Sequence, residues 1–175
     1  MTRIMYRTIA NEKVALSRAD MLDAAGRNAV RRRALELCPH GAWCEVEHRP
    51  AALLSASGER EPLDRAMHAR VAAFCGIGNP AGFRHTLDAM GCRVEAWREF
   101  PDHHAYTRAD VEELGDWARN SQADLVLCTR KDFVKMRASE LGETPLRAVG
   151  VELRFLAGEE ALHQALDRLP SPKLG

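Results

Sequence analysis

The chain is predicted to fold as an α/β protein, a mostly parallel sheet with helices on both faces in a Rossmann-like three-layer domain. Short β-type runs alternate with longer helical ones along most of the sequence, the pattern of parallel sheets with right-handed crossovers. Two runs, Val71-Ala-Ala-Phe-Cys75 and Asp124-Leu-Val-Leu-Cys128, are continuous apolar stretches, as strands covered on both faces are. The most unusual polar residues, at 76–79, 102–104 and 129–132, follow the carboxyl ends of predicted strands, where open α/β sheets place their ligands.

Val14-Ala-Leu-Ser17 reads as the first strand. Ser17-Arg-Ala-Asp20 then leads into a helix of roughly 15–18 residues through Arg31-Arg-Arg33 to Leu37, stopped by Pro39 and Gly41. Trp43 to His48 is a strand, and Pro50 to Glu61 is a weakly patterned connection. After Val71–Cys75 comes Gly76-Ile-Gly-Asn-Pro80, where Asn79 can cap a helix and Pro80 can fill its first position. That helix carries Phe83, Leu87 and Met90 on one stripe and ends at Gly91. Arg93 to Trp97 is the next strand, and Phe100-Pro-Asp-His-His-Ala-Tyr106 is the loop beyond it. Thr107-Arg-Ala-Asp110 starts a helix as a capping box with Asp in place of Glu, and its buried stripe is Val111, Leu114 and Ala118. Thr129-Arg-Lys-Asp132 follows the second covered strand and leads into a short helix with Phe133, Val134 and Met136. Leu146 to Phe155 is the last strand, Gly158-Glu-Glu starts the last helix, and Pro170 closes it. The expected organisation is an N-terminal segment over 1–13, one α/β domain over 14–169 and a tail over 170–175.

Composition excludes several classes. With 175 residues, 46% hydrophobic and 29% charged, the chain has the ordinary globular mixture, which rules out global disorder. Lys+Arg and Asp+Glu are 25 each, so the basic excess of a dedicated nucleic-acid binder is missing. No apolar run approaches the roughly 18–20 residues that span a bilayer, and the first eight residues carry no apolar core of signal-peptide length. The five cysteines, Cys38, Cys44, Cys75, Cys92 and Cys128, form no CxxC pair, and the odd count fits reduced thiols in a cytosolic protein. Cys75, Cys92 and Cys128 lie in or beside apolar stretches and read as buried, inert thiols.

Gly76-Ile-Gly-Asn-Pro-Ala81 has the form G-x-G-x-x-A, with Glu95 nineteen residues after Gly76 as a candidate ribose acid. That spacing fits a stand-alone dinucleotide-binding domain, and it equally fits a tight turn with no ligand. Asp102-His103-His104 can supply an acid–base residue, or it is a solvated polar loop. No D-x-D accompanies it, so no metal ligands are assigned. Thr129-Arg130-Lys131-Asp132 can recognise phosphate or carboxylate, or it is a capped helix with solvated charges. Tyr106 is a candidate lining residue, and Trp97 reads as core. There is no G-x-x-x-x-G-K-[ST], no G-x-S-x-G and no H-E-x-x-H anywhere in the sequence.

Phe74-Cys-Gly-Ile-Gly-Asn-Pro80, Phe100-Pro-Asp-His-His-Ala-Tyr-Thr107 and Leu127-Cys-Thr-Arg-Lys-Asp132, in this order, resemble the C-terminal half of the tetraacyldisaccharide 4'-kinases of lipid A biosynthesis. Val14 to Asp20 and Leu146 to Glu160 extend the resemblance over about Val14 to Leu169. The resemblance implies transfer of the γ-phosphate of ATP, with magnesium (Mg2+), to the 4'-hydroxyl of a tetraacyldisaccharide 1-phosphate. It implies a protein peripheral to the cytoplasmic face of the bacterial inner membrane. In this family the P-loop, the magnesium-binding acids, the proton-accepting Asp and the membrane-contacting segment belong to the N-terminal half. This chain is therefore expected to be a fragment, inactive alone, that needs that half as its partner. By the same carry-over His103 is the partner of the proton-accepting Asp and Asp102 orients it. Gly76, Gly78, Asn79, His104, Tyr106, Thr129, Lys131 and Asp132 lie near substrate or nucleotide. His104 matches a position that varies in the family. Arg130 stands where the family has Glu, a charge reversal that puts any acidic role there in doubt. A non-catalytic, partner-binding module is a further alternative.

Overall fold

The computed structural model describes residues 6–9, 13–39 and 41–167. The closure at Pro170 and the 170–175 tail lie outside the described residues, as does most of the 1–13 segment. The elements, in order, are β1 (Tyr6–Ile9), β2 (Lys13–Ser17), a 3₁₀ turn (Ala19–Met21), α1 (Ala24–Leu37), β3 (Ala42–Leu54), β4 (Arg60–Glu61) and α2 (Asp64–Met67). They continue with β5 (Arg70–Cys75), α3 (Pro80–Ala89), β6 (Arg93–Glu99), α4 (Arg108–Asn120), β7 (Leu125–Thr129), α5 (Arg130–Met136), β8 (Glu140–Leu141), β9 (Thr144–Ala157) and α6 (Glu159–Asp167). The fold is the expected mixed α/β arrangement with mostly parallel strands. The chain groups into two compact units, one of residues 49–152 and one of residues 1–48 with 153–175, and β3 and β9 contribute to both.

In the larger unit the strand order is β3-β9-β7-β5-β6, with β4 on β3 and β8 on β9. Strands β5, β6, β7 and β9 pair in parallel. Side chains alternate across a strand, so β5 divides between two cores. Val71, Ala73 and Cys75 pack with Phe83, Leu87 and Met90 of α3 on one face. Ala72 and Phe74 pack with Leu114 and Ala118 of α4 and Met136 of α5 on the other. Helix α3 leads from β5 to β6, whereas α4 carries the chain from β6 past β5 to β7. The connections after β5 and β7 thus go to opposite faces. This makes the carboxyl end of β5 the switch point of the sheet, the place where doubly wound sheets take ligands.

The starts of β5 and β7 are tied by Arg70 and Asp124. The Arg70 backbone N–H and Nε donate to Asp124 Oδ2, each at 3.0 Å, and a second guanidinium nitrogen donates to Oδ1 at 2.8 Å. These hydrogen bonds hold the Asp124 carboxyl at a pKa of about 2. A folded-state pKa below the ordinary value of 3.8 adds stability above that value, which is lost as pH falls toward 2. Asp124→Asn should therefore melt below the native chain at pH 6, and thermal scans at descending pH should show the gap closing toward pH 2.

In the smaller unit β1 pairs antiparallel with β2, and β2 pairs parallel with β3. Val14, Leu16, Ala19, Ala34 and Trp43 form its core.

Two boundaries depart from the sequence reading. The first helix does not start at Ser17–Asp20: Arg18 is left-handed (φ 55°), a single 3₁₀ turn follows, and Leu22 is extended. Asp23 is the true cap, its carboxylate accepting the Gly26 N–H at 2.7 Å. The connection predicted over 50–61 is instead the second half of β3 and a hairpin to β4, with Leu53 opposite Glu61 and Leu54 opposite Arg60. Burial of Ala52 and Leu53 holds this stretch extended, and Pro50, which donates no ladder bond, falls between the β2 and β4 registers.

Candidate functional site

Three turns of the larger unit meet at the carboxyl end of β5. The turn after β5 is shaped by Asn79, whose side chain accepts the Gly82 N–H at 3.0 Å, with Pro80 at the first helical position, as expected. Among the sequence-derived candidates Asn79 is therefore a helix cap. The loop after β6 is pinned to this turn by backbone bonds: the Phe100 N–H donates to Cys75 O at 2.8 Å, and the His103 N–H to Gly76 O at 3.3 Å. At its far end Thr107 and Asp110 form the expected capping box. Asp110 Oδ2 accepts the Thr107 N–H at 2.7 Å and its hydroxyl at 2.8 Å, and these bonds pull the Asp110 carboxyl below the usual carboxylate range.

The third turn follows β7. Thr129 caps α5, its hydroxyl oxygen accepting the Asp132 N–H at 3.2 Å while the hydroxyl donates to Asp132 Oδ2 at 2.6 Å. Asp132 is 0% exposed. Arg130 and Lys131 are solvated on the outer side of the turn. The capped-helix reading of residues 129–132 thus holds for its backbone, but the carboxylate is buried rather than solvated.

Asp132 Oδ1 and the Tyr106 hydroxyl are both buried without a hydrogen-bond partner. Both press on Gly76, where a Cβ would lie 3.2 and 3.0 Å from them and 3.3 Å from Pro101 O. Their mutual geometry falls short of a hydrogen bond, yet burial, followed by the Asp132 charge, pushes the Tyr106 hydroxyl well up. A Cβ on Gly78 would lie 2.8 Å from Asp102 Oδ2. Both glycines therefore allow close approach, but what approaches them is protein, including two carboxylates.

That arrangement tests the fit of ATP and magnesium to these residues. A phosphate laid on Gly76 or Gly78 would meet the negative charges of Asp132 and Asp102, so this turn is no phosphate cradle. Among the described residues no group of three or more His, Cys, Asp or Glu side chains is placed to hold a metal ion. Glu95 is the third residue of β6, four residues before the strand's carboxyl end, and pairs with Arg93 Nε at 2.5 Å.

The two adjacent histidines have different surroundings. His104 is built in: its ring stacks on Phe100 (4.7 Å, 29°), meets Tyr106 edge-on (4.9 Å, 81°) and places Nε2 3.2 Å from Asp110 Oδ2. His103 points outward with its side chain 84% exposed, and its Nε2 is 3.9 Å from Asp102 Oδ2. Its backbone is left-handed at φ 62°, a conformation that non-glycine residues rarely hold. The loop thus presents one imidazole and half-buries the other.

Sequence reasoning left out the aromatic support of this loop. Phe74 on β5 contacts Phe100 edge-on at 6.0 Å and Tyr106 at 5.7 Å, and Phe100 meets Tyr106 at 5.2 Å. Each such pair adds about 0.5–1.5 kcal/mol beyond area burial. Phe74, Phe100 and Tyr106 all stand in the quoted motifs, so the signal was present. Nearby thiols are inert, as expected: burial pushes Cys75 up to about 12 and Cys128 well above the usual thiol range.

Comparison with known proteins places these features in context. Residues 10–170 match the family described as Tetraacyldisaccharide-1-P 4'-kinase. A tetraacyldisaccharide 4'-kinase of Anaeromyxobacter sp. (strain K) is 37% identical over 157 residues, covering 88% of this chain and 41% of the relative. One from Syntrophus aciditrophicus is 31% identical over 123 residues, 70% of this chain and 33% of the relative. In fold, the chain is similar to the crystal structure of the "apo" form of LpxK from Aquifex aeolicus in complex with ATP, with a TM-score of 0.52 and 24% identity over 88% of this chain and 50% of that one. The chain therefore spans about two fifths of the length of the Anaeromyxobacter relative and half of the solved chain.

Proposed function

Because the chain belongs to the tetraacyldisaccharide-1-P 4'-kinase family, we propose that it forms the C-terminal part of an ATP-dependent kinase acting on the 4'-hydroxyl of a tetraacyldisaccharide 1-phosphate in lipid A biosynthesis. Residues 14–169 serve as one functional domain of that enzyme. The observation that carries this reading is the outward-facing His103, held at the tip of a loop that the Gly76 turn pins from below.

Phosphoryl transfer needs mainly positioning and charge stabilisation. None of the 175 residues forms a Walker sequence, and the Gly76–Asn79 turn is lined by carboxylates, so nucleotide and magnesium are held elsewhere in the enzyme. In this reading an Asp of the P-loop half accepts the proton of the attacking hydroxyl, and the His103 imidazole stands beside it as its hydrogen-bonding partner. Asp102, whose Oδ2 lies 3.9 Å from His103 Nε2, orients the ring. His104, Tyr106 and Asp132 hold the loop in shape. Gly76, Gly78, Asn79, Thr129 and Lys131 shape the rim near the substrate. The working site is the inner face of the bacterial inner membrane. Among the described residues no helix is long and apolar enough to cross a bilayer, and peripheral attachment belongs to the partner half.

Complementation tests this reading. A gene joining the P-loop half of the Anaeromyxobacter relative to this chain should restore growth to a bacterium depleted of its own lipid A 4'-kinase. Failure of a stably expressed, membrane-associated fusion to restore growth would count against it.

A further inference from the structure

The turn after β7 and the histidine loop meet at two buried polar atoms that lack partners. Asp132 is 0% exposed and its Oδ1 makes no hydrogen bond, and the buried Tyr106 hydroxyl makes none either. Native proteins bond nearly all such groups, so a donor and an acceptor left side by side need an explanation. Both converge on Gly76, where a Cβ would lie 3.0 Å from the hydroxyl and 3.2 Å from the carboxylate oxygen.

The two partners differ in freedom. The carboxylate is clamped, because the Thr129 hydroxyl donates to Oδ2 at 2.6 Å and its oxygen accepts the Asp132 N–H at 3.2 Å. Oδ1 is thus the acceptor that remains. Burial first, and the Asp132 charge next, push the Tyr106 hydroxyl well up, so it keeps its proton and meets a carboxylate as a donor. Its ring belongs to the loop, packed on Phe100 and His104 at centroid distances of 5.2 and 4.9 Å.

The tip of that loop is its least settled part. The Phe100 N–H lies 2.8 Å from Cys75 O, whereas the His103 N–H lies 3.3 Å from Gly76 O. His103 is also left-handed, at φ 62°. Tyr106 stands three residues beyond it, so an approach of Tyr106 to the clamped carboxylate draws the tip along.

We propose that Asp132 is a positioning residue for the histidine loop and acts through Tyr106. In the working position of the loop the Tyr106 O–H donates to Asp132 Oδ1, and this bond sets where the His103 imidazole stands. Gly76, with no side chain, leaves the path between the two groups open. The consequence for rate rests on the kinase reading, and the bond itself does not.

The test has two arms. The first uses the 175-residue chain carrying Tyr6→Phe, which leaves Tyr106 as its one tyrosine. The tyrosine Raman doublet, whose intensity ratio reports whether a phenol donates a hydrogen bond, should show a donor. Asp132→Ala should abolish that signature, and Asp132→Asn, which keeps an oxygen acceptor, should retain a weaker one. Tyr106→Phe keeps the ring and removes only the hydroxyl, and it should speed hydrogen exchange at the His103 and His104 amides by about tenfold or more. The second arm uses the chain fused to a relative's P-loop half. Tyr106→Phe and Asp132→Ala should each lower kcat by about ten- to a hundredfold with KM for the lipid little changed, as misplaced reacting groups do. The double variant should lose no more than Asp132→Ala alone, and Asp132→Asn should recover part of the rate. A non-bonded Tyr106 signature, one indifferent to Asp132→Ala, a native kcat in Tyr106→Phe, or losses that multiply in the double variant would each overturn the proposal. A native fusion that transfers no phosphate would count against the kinase reading alone, and the doublet and exchange rates would still decide the bond.

Discussion

Phe74→Ala should lower the unfolding free energy by about 3–5 kcal/mol, the cost of truncating a fully buried aromatic side chain. Phe74 is 0% exposed at the centre of the larger unit. It packs with Leu114, Ala118 and Met136 below the sheet edge and touches the Phe100 and Tyr106 rings. The cavity would therefore open beneath the histidine loop. With total stabilities of about 5–15 kcal/mol, the loss would consume a large fraction of the whole. Phe74→Leu keeps most of the volume and should cost much less. Urea unfolding followed by the fluorescence of Trp97 and Trp117, both in this unit, measures the effect. Limited proteolysis should cut first within 100–106. A variant as resistant as the native chain would show that the loop does not depend on Phe74.

His103→Gly should separate folding from chemistry. The side chain is 84% exposed and the backbone lies at φ 62°, which glycine adopts freely. Little packing is lost and local strain is relieved, so the melting temperature should stay the same or rise slightly. In the fusion with a P-loop half, kcat should fall by about 10²–10⁴-fold, the usual contribution of a positioned acid–base group. KM for the lipid should change far less, because His103 is assigned to the proton-accepting Asp and not to anchoring the lipid. His104→Gly should behave in the opposite sense. That ring is stacked on Phe100 and bonded to Asp110, so its loss should lower stability and reduce activity only through the altered loop.

Much of this architecture was legible in the sequence because its signals are local. The covered strands announce themselves as continuous apolar runs, and Asn79-Pro80 and Thr107–Asp110 are helix starts spelled out within four residues. What could not be read depends on partners distant in sequence. Strand β1 exists by pairing with β2, β4 by pairing with β3 and β8 by pairing with β9. Pro50 looked like the start of a loop because the buried neighbours that keep β3 extended lie elsewhere in the chain. At the site, proximity in sequence put Asp102, His103 and His104 together, but only the backbone turn at His103 decides which ring faces outward. By sequence Asp132 reads as part of an anion-recognising turn or as one of three solvated charges in a capped helix. Thr129-x-x-Asp132 repeats the spacing of Thr107-x-x-Asp110, so its capping role was readable, whereas its burial against Gly76 and Tyr106 was not.

Transfer of labelled γ-phosphate from ATP to the 4'-hydroxyl, assayed in vitro with this chain fused to a relative's P-loop half, decides whether the histidine loop takes part in catalysis. The native fusion and a remote surface variant, Arg84→Gln, should form the 4'-phosphorylated lipid at equal rates, while His103→Gly forms it at least a hundredfold more slowly. Equal rates for all three proteins would contradict the role given to His103.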